Sequence, residues 1–196
     1  MDWRIYKAIY HVSTHHHWVG TLFSDIEKAS IPFMVVATVA LWLLARPGGD
    51  RKWKYAAGSG LAAAAVALLA NRIISSIWHR DRPYEAHHFH DPWSNSTDAS
   101  FPSDHSSASF GIAFAVLMFD TLAGALFILA AAIIAIGRVF IGAHYPADVG
   151  AGVLVGLGSA LVVVKLARPV IGLLVRVVER LTDPVLRPLW RRAART

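Results

Sequence analysis

The chain has 196 residues, 55% of them hydrophobic and only 16% charged, with a formal net charge of +6. Its mean hydropathy of +0.46 is too high for an ordinary soluble domain, and one membrane-embedded domain over residues 1–196 is the natural expectation. No cysteine is present, which excludes disulfides and thiolate metal sites. The basic residues flank apolar runs, an arrangement that points to membrane flanks and away from nucleic acid.

In chain order, residues 1–18 place Trp3, Ile5, Tyr6, Ile9 and Tyr10 at roughly helical spacing, which predicts an N-terminal amphipathic helix in the interface. There is no continuous apolar core or small-residue cleavage site here, so no cleavable signal peptide is read. Five apolar spans follow, at about 26–45, 55–78, 104–119, 121–141 and from Pro146 to about Leu166. Each approaches the ~20 residues that cross a bilayer, the third being short. The second is rich in small residues that let helices approach closely. A polar stretch, residues 79–104, separates spans two and three, and such long connections are usually functional. The tail from Lys165 carries Arg168, Arg176, Arg180, Arg187, Arg191, Arg192 and Arg195 beside Val170, Leu173, Leu174, Val177, Val178 and Leu181. That pattern predicts a basic amphipathic helix on the membrane surface. The fold class is therefore an all-α integral membrane bundle of about five spans with an amphipathic helix at either end.

Following the chain from face to face brings all the unusual polar residues to one side. These are Arg80-Asp81-Arg82-Pro83 after span two, Phe101 to His105 before span three, and Arg138, His144 and Asp148 between spans four and five. The opposite side receives Arg46, Arg51, Lys52, Lys54 and the arginine-rich tail, which makes it cytoplasmic by the positive-inside rule. The polar cluster then faces out of the cytoplasm.

His144 and Asp148 are spaced i, i+4, and with Pro146 in a first helical turn they share a face. A carboxylate against one imidazole nitrogen leaves the other as a nucleophile or base. Arg82 and Arg138 offer planar forks for phosphate oxygens, Ser103 a hydroxyl, and the start of span three its backbone N–H groups. His105 is placed to protonate a departing oxygen. These groups make a phosphoryl-transfer site with cationic donors in place of a metal, so no metal and no cofactor are expected. Arg80 and Asp104 are further candidates: Asp104 is expected to pair with an arginine such as Arg80 or to cap span three. The loop cluster His87 to Asp91 lacks tetrahedral ligand spacing; its histidines read either as surface residues or, for His87 or His88, as a phosphate contact. A transporter would need polar groups along a path through the spans, whereas spans four and five are apolar through their centres.

The order Arg-Pro, then Pro-Ser-x-His, then Arg-x5-His-x3-Asp (here RVFIGAHYPAD) resembles the type 2 phosphatidic acid phosphatase superfamily. The segments SFPSDH, RPYEAH and GAHYPAD, with KAIY near the N-terminus, are similar to the BcrC-type undecaprenyl pyrophosphate phosphatases of bacteria. Two departures stand out: Ser75 occupies the position of a family lysine, leaving Arg80 or Arg72 to supply charge, and Asp104 stands where glycine is common. The resemblance implies hydrolysis of a polyprenyl diphosphate lipid, undecaprenyl diphosphate, at the outer face of the bacterial inner membrane, with release of one phosphate. This recycles the cell-wall carrier and affects bacitracin resistance. A broader lipid phosphatase acting on phosphatidic acid or phosphatidylglycerol phosphate is the alternative. By the same resemblance His144 is the nucleophile that becomes a phosphohistidine, Asp148 orients it, and His105 is the acid and then the base. Arg82, Ser103 and Arg138 hold the phosphate. Membrane lipids are the expected surroundings, no nucleic acid is expected as a partner, and the oligomeric state is not legible.

Overall fold

The computed structural model describes residues 2–91 and 93–193; of the tail arginines, the side chains of Arg191, Arg192 and Arg195 lie outside what is described. The regular structure among the described residues is all helical, with no strand. The elements are α1 (Asp2–His15), α2 (His17–Leu44), α3 (Lys52–Ile77), a short α4 (Pro83–Ala86), α5 (Asp104–Leu117), α6 (Thr121–Phe140), α7 (Pro146–Leu161) and α8 (Arg168–Ala193). A π-helical turn, Val162–Leu166, extends α7.

Four helices are long and apolar enough to cross a membrane: α2, α3, α6, and α7 with its π-helical extension. The third expected span, α5, has 14 residues and rises only ~21 Å. It is the axis of the bundle, packed against α3, α6 and α7. Every residue from Ser106 to Ala113 on it is buried. A helix enclosed by protein on all sides needs neither an apolar stripe nor the full bilayer length, which accounts for the three serines it carries. Small residues make the enclosure close. A Cβ on Gly156 of α7 would lie 2.8 Å from the carbonyl oxygen of Ser107, and one on Gly152 would lie 2.9 Å from that of Ser103. Asn71 of α3 ties the same region together, accepting from Ser107 Oγ and donating to Asp104 Oδ1 at 2.6 Å.

The first span starts earlier than its apolar run, because α2 is continuous from His17 and carries His17, Thr21, Ser24, Asp25, Glu27 and Lys28 on its leading turns. The amphipathic α1 is present, and its aromatic face rests on protein: Trp3, Tyr6 and Tyr10 stack in series, and Tyr6, fully buried, lies 5.6 Å from the ring of Tyr145.

At the other end of the bundle α8 has three faces. Ile171, Val175, Glu179 and Leu186 are buried. Val170, Leu173, Leu174, Val177, Leu181 and Val185 are exposed, and so are Arg176, Arg180 and Arg187. The expected basic amphipathic helix is thus docked along one side, leaving an apolar face for lipid and a basic one for water. The docking is ionic as well as apolar. Lys54, 1% exposed, reaches Glu179 at 3.2 Å and Asp183 at 2.6 Å, and Arg51 reaches Glu179 at 3.0 Å. Breaking a buried ion pair from one side leaves the other charge uncompensated. Lys54→Met is therefore expected to destabilise the protein by about 3–5 kcal/mol, read as a lowered unfolding midpoint in detergent. Adding Glu179→Gln and Asp183→Asn should recover most of that loss.

Candidate active site

The connection between α6 and α7 is only residues 141–145, and its local bonding places the central histidine. The backbone N–H groups of Ala143 and His144 both donate to the carbonyl of Arg138, at 3.1 and 3.3 Å. Gly142 takes φ +79° in this turn, and a Cβ there would sit 2.0 Å from Asp91 Oδ2, so only glycine fits. Pro146 opens α7 as expected, and Asp148 at its third position accepts from the Tyr145 N–H at 2.9 Å. Arg138, His144 and Asp148 are thereby held within two turns of chain around one buried point.

The tautomer of His144 follows from its partners. Nδ1 lies 2.7 Å from the carbonyl oxygen of Ser100, which can only accept, so Nδ1 carries the proton. Nε2 lies 3.3 Å from Arg138 Nη2 and 3.5 Å from Arg82 Nη1, groups that can only donate, so Nε2 presents its lone pair. Burial pushes this ring's pKa down to about 4, and the two guanidinium charges act in the same direction while Asp148 opposes them. The ring is therefore neutral at physiological pH, with a bare nitrogen between two cations.

Those cations are fixed from behind. Arg82 donates through Nε to the carbonyl of Asp98 at 2.9 Å and through Nη1 to that of Ala143 at 3.1 Å. Arg138 donates through Nη1 to Glu27 of α2. Its Nε is buried and has no hydrogen-bond partner among the described residues, an arrangement that costs about 1–3 kcal/mol unless something supplies an acceptor. His105 Nε2 lies 3.8 Å from the same Glu27 carboxylate, within electrostatic range of Arg138, His144 and Arg82.

Other expected residues sit differently. Asp148 Oδ2 is 3.8 Å from His144 Nδ1, and the Ser100 hydroxyl bonds that oxygen at 2.6 Å. Asp148 thus acts on the ring at one remove, through the segment that accepts its proton. Arg80 does not pair with Asp104. Its fork holds Asp148 Oδ1 at 2.6 Å and Asp2 Oδ2 at 2.7 Å, over the ring of Tyr145, so its charge is already committed. Asp104 pairs with Asn71. Ser103 precedes α5 without a side-chain cap; its N–H donates to the Asp148 carbonyl at 3.1 Å and its hydroxyl accepts from Ser106. Ser75 lines a separate groove of about 370 Å³ with Arg72, His79, Asp98 and Asp104. His87 stacks on Trp3 at 3.5 Å, and among the described residues no three His, Asp or Glu side chains form a metal-binding group.

Three participants were not expected from the sequence. Ser100, the first residue of the SFPSDH segment, was given no role; it acts through its hydroxyl on Asp148 and through its carbonyl on His144, and the latter no side-chain pattern reveals. Glu27 reads as a flanking charge of the first span. Asp2 reaches across from α1 to Arg80 and to the Ala147 N–H at 3.1 Å. For the ring itself, nitrogen NMR of histidine-labelled protein should show His144 as the neutral Nδ1–H tautomer at pH 6, with protonation only near pH 4. A resonance assigned to His144 that titrates near the ordinary 6.5 would contradict this electrostatic arrangement.

A family model described as the PAP2 superfamily matches residues 54–171, which contain Arg80, Arg82, Ser103, His105, Arg138, His144 and Asp148. The chain is 27% identical over 186 residues to the undecaprenyl-diphosphatase BcrC of Bacillus subtilis, covering 93% of this chain and 94% of that one. It is 31% identical over 146 residues to the putative undecaprenyl-diphosphatase YbjG of Escherichia coli, covering 71% and 69%. Its fold is similar to the crystal structure of Aquifex aeolicus LpxE, with a TM-score of 0.63 at 20% identity over 83% of this chain and 93% of that one. Four membrane-crossing helices and a family match over more than half of its length identify the chain as a multi-pass membrane enzyme of the PAP2 superfamily.

Proposed function

We propose that the chain, acting as one membrane-embedded domain, hydrolyses undecaprenyl diphosphate to undecaprenyl phosphate and inorganic phosphate through a phosphohistidine. The observation that carries this reading is the His144 ring: Nδ1–H committed to Ser100, Nε2 bare, and two buried guanidinium groups converging on it. Like charges gathered around a nucleophilic nitrogen suit a substrate that brings its own negative charge, and a terminal phosphate does so. The unpartnered Nε of Arg138 adds a donor for one of its oxygens. The choice of lipid is supported by similarity to the two undecaprenyl-diphosphatases, one of which the chain matches along nearly its whole length.

In this mechanism His144 Nε2 attacks the terminal phosphorus. The N–P bond forms as the bridging P–O bond breaks, and the lipid phosphate leaves with a proton from His105. The positive charge that develops on the ring is offset by Ser100 and Asp148, the latter held by Arg80. Water, deprotonated by His105, then cleaves the N–P bond and frees phosphate, restoring His144. Arg82 and Arg138 hold the equatorial oxygens throughout, with Ser103 at the start of α5. The site lies at the bundle end opposite Lys54 and α8, which on the positive-inside rule faces out of the cytoplasm of a bacterial cell membrane. That is the side on which a used diphosphate carrier is released, and removing its terminal phosphate would return the carrier to use and oppose bacitracin.

The test is phosphate release by purified protein in detergent with excess EDTA, comparing undecaprenyl diphosphate with phosphatidic acid at equal concentration. Release that survives EDTA and favours the diphosphate is expected. His144→Ala should abolish it, and Arg138→Lys should lower it at least ~10²-fold, since a point charge does not replace the fork. Equal release from both lipids would overturn the substrate assignment, and release only with added metal would overturn the mechanism.

A further inference from the structure

Glu27 brings a carboxylate into a site meant for an anion. It arrives from α2, a helix that contributes none of the motif residues, and its Oε1 serves two groups: it accepts from Arg138 Nη1 and lies 3.8 Å from His105 Nε2. A carboxylate that stayed on Arg138 would repel the substrate phosphate for which Arg138 is placed. One that was merely structural would have no reason to stand beside the imidazole that must deliver a proton. The two observations are reconciled if the carboxylate changes partner.

We propose that Glu27 is the positioning residue for the general acid: substrate phosphate displaces it from Arg138, and its carboxylate then pairs with His105 and holds the proton there until the lipid phosphate leaves. The inference rests on the phosphatase reading above and deepens it. The need for such a partner comes first from burial and then from charge, both of which disfavour a protonated His105. The groups acting on His105 are Arg82 from the loop before α4, Arg138 from α6, the His144 ring from the α6–α7 turn and Glu27 from α2. Two of these are permanent cations and oppose a third positive charge on His105, while Glu27 is the one anion among them. The exchange also links binding to chemistry, because the phosphate that neutralises Arg138 is what releases the carboxylate to His105. The exchange requires a side-chain rotation, and Glu27 is only partly buried.

The experiment compares kcat between pH 5.5 and 9 for wild type and Glu27→Gln, on whichever lipid phosphate the wild type hydrolyses, together with the inhibition constant for inorganic phosphate. Without the carboxylate the acid should lose its proton at lower pH, so the alkaline fall in kcat is expected to move down by about one unit. The variant would then be about tenfold slower than wild type at pH 8 and close to it at pH 5.5. Phosphate should bind at least as tightly, because a competitor for Arg138 has gone. A uniform loss at every pH, or weaker phosphate binding, would overturn the proposal and leave Glu27 as a structural partner of Arg138. Unchanged kinetics would overturn it too. If Glu27→Gln does not fold, Glu27→Asp keeps the charge one methylene short and should show the same alkaline loss in smaller degree. The wild-type substrate preference tests the assigned reaction, while the variant-to-wild-type ratio tests Glu27 alone, so the two can fail separately.

Discussion

Two guanidinium groups, those of Arg82 and Arg138, are buried against one nitrogen of one neutral imidazole, and the rest of the site is arranged around that electrostatic constraint. Buried like charges are costly unless partners compensate them, and of the buried side-chain atoms of these two groups Arg138 Nε is left without one among the described residues. Arg82 is tied to two backbone carbonyls and Arg138 to Glu27. The ring between them is held from its far side by the Ser100 carbonyl, and the Ser100 hydroxyl is held by Asp148. Asp148 is held in turn by Arg80, and Arg80 by Asp2 at the start of the chain. Charge alternates outward along this chain of contacts, so each ion is compensated by the next. The innermost pair of cations is left facing the nucleophile.

The bundle makes this affordable by separating its two ends. At the site end, the loops before α4, before α5 and before α7 meet over the enclosed helix α5, while α1 lies across them with its aromatic face down. At the other end, Lys54, Arg51, Glu179 and Asp183 clamp α8 to α3. Between them the contacts are of alanine, glycine and serine on α3, α5 and α7, where backbones approach within van der Waals distance. Such packing is rigid because it has few rotamers to exchange. A rigid frame is what a site needs when it must hold two forks and a ring in fixed register.

Much of this was legible in the sequence, for identifiable reasons. Helices α3, α6 and α7 lie close to their expected limits because each is a long, predominantly apolar run whose charged residues fall near its ends. The convergence of the motif residues followed from counting crossings, which depends on the number of helices and not on their packing. The limits of α2 were misjudged because hydropathy marks where a helix enters apolar surroundings and not where its backbone bonding begins. The central place of α5 was hidden, since a helix enclosed by protein has neither the length nor the stripe that betrays a lipid-facing one. Within the site, side chains carried by motifs were found, and contacts made through backbone or across long sequence separation were not. Ser100 acts through a carbonyl, Glu27 is 111 residues from Arg138, and nothing local to Arg80 tells which carboxylates its fork will meet.

The central claim is that His144 Nε2 is the nucleophile, and covalent capture tests it most directly. Substrate labelled in its terminal phosphate would be mixed with enzyme, quenched in alkali within the first turnover, and the labelled peptide sequenced; phosphohistidine survives alkali and is lost in acid. The account predicts label on the peptide containing His144, released by acid and absent from His144→Ala. Turnover with no alkali-stable label, or label on another residue, would contradict it.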